Sequence, residues 1–438
     1  MHPLQNLVQL QKKGVKVGIY SACTANDYAL EAVLEKARDT NSVCLIESTS
    51  NQVNQFGGYT NMTPADFYQH VMELADKVGI DPNQIILGGD HLGPLTWTNE
   101  NESEAMEKAR TLVYDCVLAG YTKIHIDTSM KLNDDDPNTR LSDETIARRG
   151  AYLANAAQQA YAKRLETHPN ALAPVYIVGS EVPIPGGAQS EDAGMQITRP
   201  EDLANTIATF KNEFEKAGLA DVWNQVIAVV VQPGVEEADL GPTEYDRSKA
   251  VDLMAAINDY PTLVFEGHST DYQTKYKLRE LVEDGVGVLK VGPGLTFPVR
   301  EALFALSFME DELYKYNPEE KSNFRQVLDE AMLANPKNWQ KHYHGSDAQQ
   351  SFKRAYSFSD RCRYYLPSEA VEAAVNKLVD NMNKVDIPLS LLSQFMPIQY
   401  TKVRNYELAL EANALIKDRV KDTIDEYMFA SHQEELTK

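Results

Sequence analysis

Residues 262–296 read TLVFEGHSTDYQTKYKLRELVEDGVGVLKVGPGLT. A short apolar run closes on Glu266 and His268, helix-like sequence follows over 274–284, and a second apolar run from Val286 ends on Lys290 and a Gly-Pro-Gly turn. This is the grammar of a strand, a helix and a second strand. It recurs along the chain: VKVGIYSAC, SVCLIESTS, IILGGDHLG, KIHIDTS, VYIVGSEV and VIAVVVQPG begin at Val15, Ser42, Ile85, Lys123, Val175 and Val226. With the runs at Thr262 and Val286 they make eight. Eight strands alternating with helices predict an α/β fold, a (β/α)8 TIM barrel, whose active sites sit at the carboxyl ends of the strands.

The helices between strands carry their own punctuation. Thr63-Pro64-Ala65-Asp66 supplies an N-cap, a proline at the first helical position and an acid in the first turn; Phe67, Val71, Leu74 and Val78 then mark one face before Gly79. The same reading predicts helices over 26–39, 102–119, 142–165, 200–217, 245–259 and 274–284. Two connections are longer than a strand–helix turn needs. One, from Lys131 to Ser142, holds Asp134-Asp135-Asp136-Pro137, which reads as a solvated loop ahead of a metal site. The other, from Pro183 to Thr198, holds IPGGAQSEDAG and suits a substrate wall or lid.

With 438 residues, 43% of them hydrophobic, the chain exceeds a bare barrel, so an additional segment is expected. Beyond Pro298 the pattern turns helical: Val299, Ala302, Leu303, Leu306, Met309 and Leu313 share a face that seals the barrel, and helix-like stretches follow at 320–334 and 368–384. No glycine-serine linker separates this tail, which predicts a barrel over 1–316 and a mainly helical extension over 317–438 packed upon it. A formal charge of −22 argues against nucleic-acid or anionic-membrane partners, since both need a dense basic face. The amino terminus lacks the apolar core of a signal peptide, and Cys23, Cys44, Cys116 and Cys362 show no CxxC spacing. A cytoplasmic protein is the expectation.

Strand ends supply the chemistry. Strand three ends in Gly88-Gly89-Asp90-His91; an imidazole there can bind a divalent metal while the adjacent carboxylate moves a proton. Strand four adds His125 and Asp127, whose alternation puts both on one face. Strand five ends at Glu181, strand six at Gln232, strand seven at Glu266 and His268, and strand eight at Lys290. Singly, each could be a capping carboxylate, a bonded core histidine or a rim lysine. Together they predict a ring of oxygen and nitrogen ligands around one barrel mouth, suited to a metal-dependent polar-substrate site. VGPGLT, just before a helix, presents the N–H groups of Gly292 and Gly294 to an anion or simply makes a tight turn.

At these residues a resemblance becomes specific. STSNQVNQFGGYTNMTPADF, LGGDHLGP, IHIDTSM, GSEVPIPGGA, VVQPGVE, EGHSTDYQT, KVGPGLTFPVREALF, HYHG and YSFSDRCRYY resemble, in order and over nearly the whole chain, the Z-type (GatZ/KbaZ) subunit family of class II D-tagatose-1,6-bisphosphate aldolase. The resemblance implies a TIM barrel of tagatose, galactitol or N-acetylgalactosamine catabolism, within D-tagatose 6-phosphate degradation. There it would support the activity and stability of a catalytic Y-type subunit in an oligomer. Similar proteins include metal-dependent ketose 4-epimerases acting on fructose and tagatose by retro-aldol and aldol steps, which gives a stand-alone alternative. A kinase label used for such proteins finds no GxxxxGK[ST] loop or protein-kinase motif set here.

The catalytic class II aldolases, more distant relatives with a zinc-bound enediolate mechanism, extend the implication to individual residues. Their Asp-His pair resembles Asp90-His91 and their strand-five glutamate resembles Glu181. Gln232 stands where they place a zinc histidine, and Glu266-Gly267-His268 replaces their His-Gly-Gly. The metal set implied is therefore His91, Glu181, Glu266 and His268, holding zinc or, with this mixed chemistry, manganese, nickel or cobalt. Asp90 or Asp127 would shuttle the C4 hydroxyl proton and Lys290 would meet oxyanion charge. Gln232, Ser48, Gly292, Gly294, Arg361 and Arg363 are candidate contacts to a ketose or ketose phosphate. Arg361, Arg363, Lys402 and Arg404 could hold a phosphate or pair with this acidic protein's own carboxylates.

Overall fold

In the computed structural model, which describes residues 1–180 and 196–437, eight parallel strands close into a barrel in sequence order. They are β1 (Ile19–Cys23), β2 (Cys44–Thr49), β3 (Ile85–Leu92), β4 (Lys123–Ile126), β5 (Val175–Val178), β6 (Val226–Val231), β7 (Val264–Gly267) and β8 (Val286–Val291). β8 pairs with β1, Lys290 opposite Ser21, and that pairing closes the ring. β1 starts at Ile19, four residues after the apolar run begins: Val15 is exposed, following the positive-φ turn at Gly14.

Helices surround the strands and their caps behave as the sequence suggests. Asn26 caps Asp27–Thr40, Thr63 and Asp66 form a reciprocal capping box on Pro64–Val78, and Ser142 caps Asp143–Leu165. Glu102–Ala119, Pro200–Lys216 and Lys275–Asp284 also fall within a residue or two of expectation, while the 245–259 stretch yields a shorter helix, Arg247–Ala256. After β8 the helix begins earlier than its apolar face suggests, at Pro293, and runs through Pro298 to Leu313.

The chain also closes the barrel at its floor. A helix absent from the sequence expectations, Pro3–Lys12, is capped by His2 and buries Leu4, Leu7 and Val8 against Ile19, Leu45, Ile86, Val175, Val264 and Val288. The last long helix, Ala412–Ser431, packs against Asp27–Thr40, Lys275–Asp284 and Pro293–Leu313. Just beyond it, the Gln433 side chain donates to Val43 O and accepts from Tyr20 N, and Leu436 joins the floor cluster. The fold is a (β/α)8 barrel with a helical C-terminal extension. No helix among the described residues is long and apolar enough to cross a membrane.

The segment around Ser357–Tyr364 reaches the opposite, open end. Phe358 packs on Tyr272 and Phe297, Tyr272 Oη donates to Phe358 O, and Thr296 Oγ1 donates to Asp360. These contacts hold Arg363 and Tyr364 over the mouth, where Tyr364 meets Tyr59 edge to face. Lys402 lies elsewhere, paired with Asp418 and Asp422, and Arg404 donates to Tyr400 Oη.

Candidate active site

Halfway up the barrel the inward-facing residues change from aliphatic to charged. Lys123 Nζ lies 2.8 Å from Glu47 Oε1 and 2.7 Å from Glu266 Oε2, all three fully buried. Lys290 Nζ lies 2.8 Å from Glu47 Oε2 and 2.9 Å from Asp90 Oδ1, and Ser21 Oγ donates to Glu47. Charges thus alternate from Glu266 through Lys123, Glu47 and Lys290 to Asp90, which is how a dry interior tolerates them. Gly88 makes the room: a Cβ there would stand 2.9 Å from Glu47 Cγ. Burial opposes charge on Glu266, yet Lys123 and Lys290 hold its carboxyl well below the usual range.

Above this layer three imidazoles converge. His91, His125 and His268 have ring centroids 4.9 Å apart pairwise, edge to face, and together with Asp90 they bring one ligand atom each within 4.8 Å of one another. Local backbone aims them. β3 shifts register between Gly89 and Leu92, and His91 sits in this bulge with φ +48°, which turns its ring into the barrel.

Every imidazole is tied to a carboxylate by one nitrogen. His91 Nδ1 is 2.7 Å from Asp127 Oδ2, His125 Nδ1 is 3.0 Å from Asp90 Oδ1 and 3.0 Å from the backbone N–H of His91, and His268 Nε2 is 3.0 Å from Glu266 Oε1. His125 Nε2 is buried with no hydrogen-bond partner among the described residues. Carboxylates that orient a histidine through its remote nitrogen are the usual outer partners of metal-binding histidines.

Electrostatics fit a cation in the same place. Burial pushes His125 down to about 4 and His268 below its ordinary value, so both are neutral at pH 7 and carry lone pairs. Burial also disfavours charge on His91, but Asp90 and Asp127 outweigh it and raise its pKa. Against burial, Lys290 and then His91 hold Asp90 well below the carboxylate range, while His91 holds Asp127 at about 2. If His91 also gives up its proton, as a metal ligand must, four carboxylates (Glu47, Asp90, Asp127, Glu266) face two ammonium groups (Lys123, Lys290), an excess that one divalent cation would balance. The cluster is compatible with a divalent metal site.

A cavity of about 100 Å³ opens above the histidines, lined among others by Cys23, Asp90, Lys290, Glu237, Asp271 and Arg363. A chamber of about 550 Å³ adjoins it, sharing Cys23, Gln52, Tyr59 and Arg363. Arg363 stacks over Tyr364 and donates to Ser359 O and Asp360 O.

Of the residues singled out from sequence, Asp90, His91, Asp127, His268 and Lys290 come together. Asp127 orients His91, accepts from Ser129 and does not line the cavity above the histidines. Glu266 lies one layer below the imidazoles, bound to Lys123 and His268, and His125 stands in the cluster instead. Glu181 lies outside the described residues.

Several substrate-contact expectations need correction. Ser48 points outward and bonds Tyr121 Oη at 3.0 Å, because strand alternation gives the inward position to Glu47. Gln232 Oε1 accepts from the N–H groups of Gly234 and Val235, capping its own loop. The N–H groups of Gly292 and Gly294 do stand at the helix start, but both donate to Asp271 Oδ1. Arg361 is buried beside His342 and Tyr343, and only Arg363 reaches the mouth. Sequence reasoning missed Glu47, Lys123, Glu237 and Asp271 and gave His125 no role; for Glu47 and Lys123 the signal was a charged residue in step with the inward face of an apolar strand, whereas Glu237 and Asp271 lie in the loops after β6 and β7.

Comparison with known proteins agrees with this picture over nearly the full length. Residues 4–432 match the model of the family described as D-tagatose-1,6-bisphosphate aldolase subunit GatZ/KbaZ-like. A crystal structure of a probable tagatose 6 phosphate kinase from Sinorhizobium meliloti 1021 is 41% identical, with TM-score 0.85 over 94% of this chain and 100% of that one. Fructose-bisphosphate aldolase from Campylobacter jejuni is 14% identical, with TM-score 0.41 over 87% of this chain and 95% of its own, a distance at which nothing about the site carries over. Whole-length agreement of sequence and fold places the chain in the GatZ/KbaZ-like family of D-tagatose-1,6-bisphosphate aldolase subunits.

Proposed function

We propose that the barrel mouth performs metal-dependent aldol chemistry on a ketose, within a tagatose-bisphosphate aldolase system. One observation carries the reading: three buried imidazoles, each oriented by a carboxylate, converge beside Asp90 and Lys290, and His125 Nε2 has no partner among the described residues. Leaving a buried polar nitrogen unsatisfied costs about 1–3 kcal/mol, a cost that a ligand removes. His91, His125 and His268 would hold a divalent cation, zinc first, which polarises a ketose carbonyl and the neighbouring hydroxyl when bound.

The chain's own groups supply the rest. Asp90 stays ionised beside Lys290 and takes the proton of the C4 hydroxyl as the C3–C4 bond breaks. Lys290 remains charged, because Asp90 and Glu47 outweigh its burial, and it meets the negative charge developing on the ketose oxygens. Asp127 keeps His91 in one orientation and Glu266 does the same for His268. Re-addition of the aldehyde through its other face, with Asp90 returning the proton, inverts C4. A lone chain would then act as a fructose/tagatose 4-epimerase.

Family membership favours a second reading, in which the chain supports a catalytic Y-type subunit in a cytoplasmic hetero-oligomer. The test is to purify the chain alone and assay fructose, tagatose and their phosphates with and without divalent metal, alongside His91→Ala. Metal-dependent C4 inversion that disappears in the variant supports the enzyme. Inactivity on every sugar, together with rescue of a Y-type aldolase, sinks stand-alone catalysis and leaves the supporting subunit.

A further inference from the structure

Barrel proteins often hold phosphate where β8 passes into the following helix, because free backbone N–H groups and the helix dipole favour an anion there. Here that cradle already contains one. The N–H groups of Gly292 and Gly294, at the start of the helix Pro293–Leu313, donate to Asp271 Oδ1 at 2.9 and 2.7 Å. Asp271 is 3% exposed, so its carboxylate is a fixed part of the wall. Glu237, also 3% exposed, lines the same cavity as His91, His268 and Lys290, and its Oε2 has no hydrogen-bond partner among the described residues. A phosphate dianion would have to displace Asp271 and then face Glu237. Burial and then Asp271 push the Glu237 carboxyl well above the usual range, and whether ionised or protonated it keeps an oxygen that can accept from a sugar hydroxyl.

We propose that Asp271 and Glu237 determine specificity at this wall: Asp271 fills the phosphate cradle, and Glu237 Oε2 accepts a hydrogen bond from the unphosphorylated, hydroxyl-bearing end of the ketose. The ligand's identity rests on the ketose reading above; the filled cradle does not. The experiment is a 31P NMR titration of the full, metal-loaded chain with inorganic phosphate, comparing wild type, Asp271→Ala and Asp271→Ser, with calorimetric titration of fructose and tagatose into wild type and Glu237→Gln.

The expected result is phosphate affinity at least about tenfold higher in either Asp271 variant than in wild type, and ketose affinity about tenfold lower in Glu237→Gln. Asp271→Ser, polar but shorter and uncharged, decides the cradle if Asp271→Ala does not fold. Equal phosphate affinity in wild type and a folded Asp271 variant overturns the cradle assignment. Unchanged ketose affinity in Glu237→Gln overturns the hydroxyl contact. Failure of the ketose reading itself looks different: no protein binds either sugar, and Glu237 loses its assigned ligand, while the phosphate comparison still gives its answer.

Discussion

The floor and the upper half of the barrel interior are built on the same strands and obey opposite rules. One two-residue step, about 6.6 Å along a strand, takes β2 from Leu45 to Glu47, β7 from Val264 to Glu266 and β8 from Val288 to Lys290. Below the step, aliphatic side chains exclude water and need only shape. Above it, each charge depends on a named partner on another strand. The lower layer stabilises by area, whereas the upper layer is neutral in stability at best and exists for what it positions.

Breaking the upper layer should have the largest effect. Lys123→Met leaves Glu47 and Glu266 facing each other without their shared cation and should cost about 3–5 kcal/mol in urea unfolding; wild-type stability would show that the layer tolerates unpaired charge. Leu7→Ala in the floor should cost about 2–4 kcal/mol and leave the bound metal per chain unchanged by elemental analysis. Loss of metal from this variant would mean that the two layers are not separable.

Asp127→Asn sharpens the contrast from above: the fold should stay intact while zinc affinity, read by competition with a chromogenic chelator, falls about 10–100-fold. Near neutral pH the smallest effect is at the floor, and it grows with acid. His2 accepts from Leu4 N, and burial pushes its pKa down from 6.5 to about 4. The unfolded chain therefore takes up the proton first, so this stability is complete above pH 6.5 and lost as pH falls towards 4. The loss should be about 1–2 kcal/mol between pH 6.5 and pH 5 and about 3 kcal/mol by pH 4, and His2→Asn, which can still cap, should flatten the curve between those pH values.

The upper half was only partly legible in the sequence, and Ser48 shows why. Strand ends announce themselves because a polar residue follows an apolar run, which located Asp90, His91, His268 and Lys290. Choosing Ser48 over Glu47 missed the inward face by one residue, and in a strand one residue means the opposite face. Lys123 stood in step with His125 and Asp127 but at the beginning of its run, where no end signal marks it. Gly292 and Gly294 were placed correctly as N–H donors; their acceptor, Asp271, comes from the preceding strand's loop, and local sequence cannot reveal such a meeting. Long helices with caps were legible because 3.6-residue periodicity and capping chemistry are local. The Pro3–Lys12 helix was not, since it is short and stabilised by the floor it covers.

The seam where Gln433 bonds Tyr20 and Val43 also sets a timetable. Residues that meet there are about 390 to 413 positions apart in the chain. At about 5–20 residues per second, ribosomal synthesis separates their emergence by roughly 20–80 s. The first two strands therefore wait, with part of their edge uncovered, for the final turn of chain to arrive. That interval is when this edge is open to pairing with another chain.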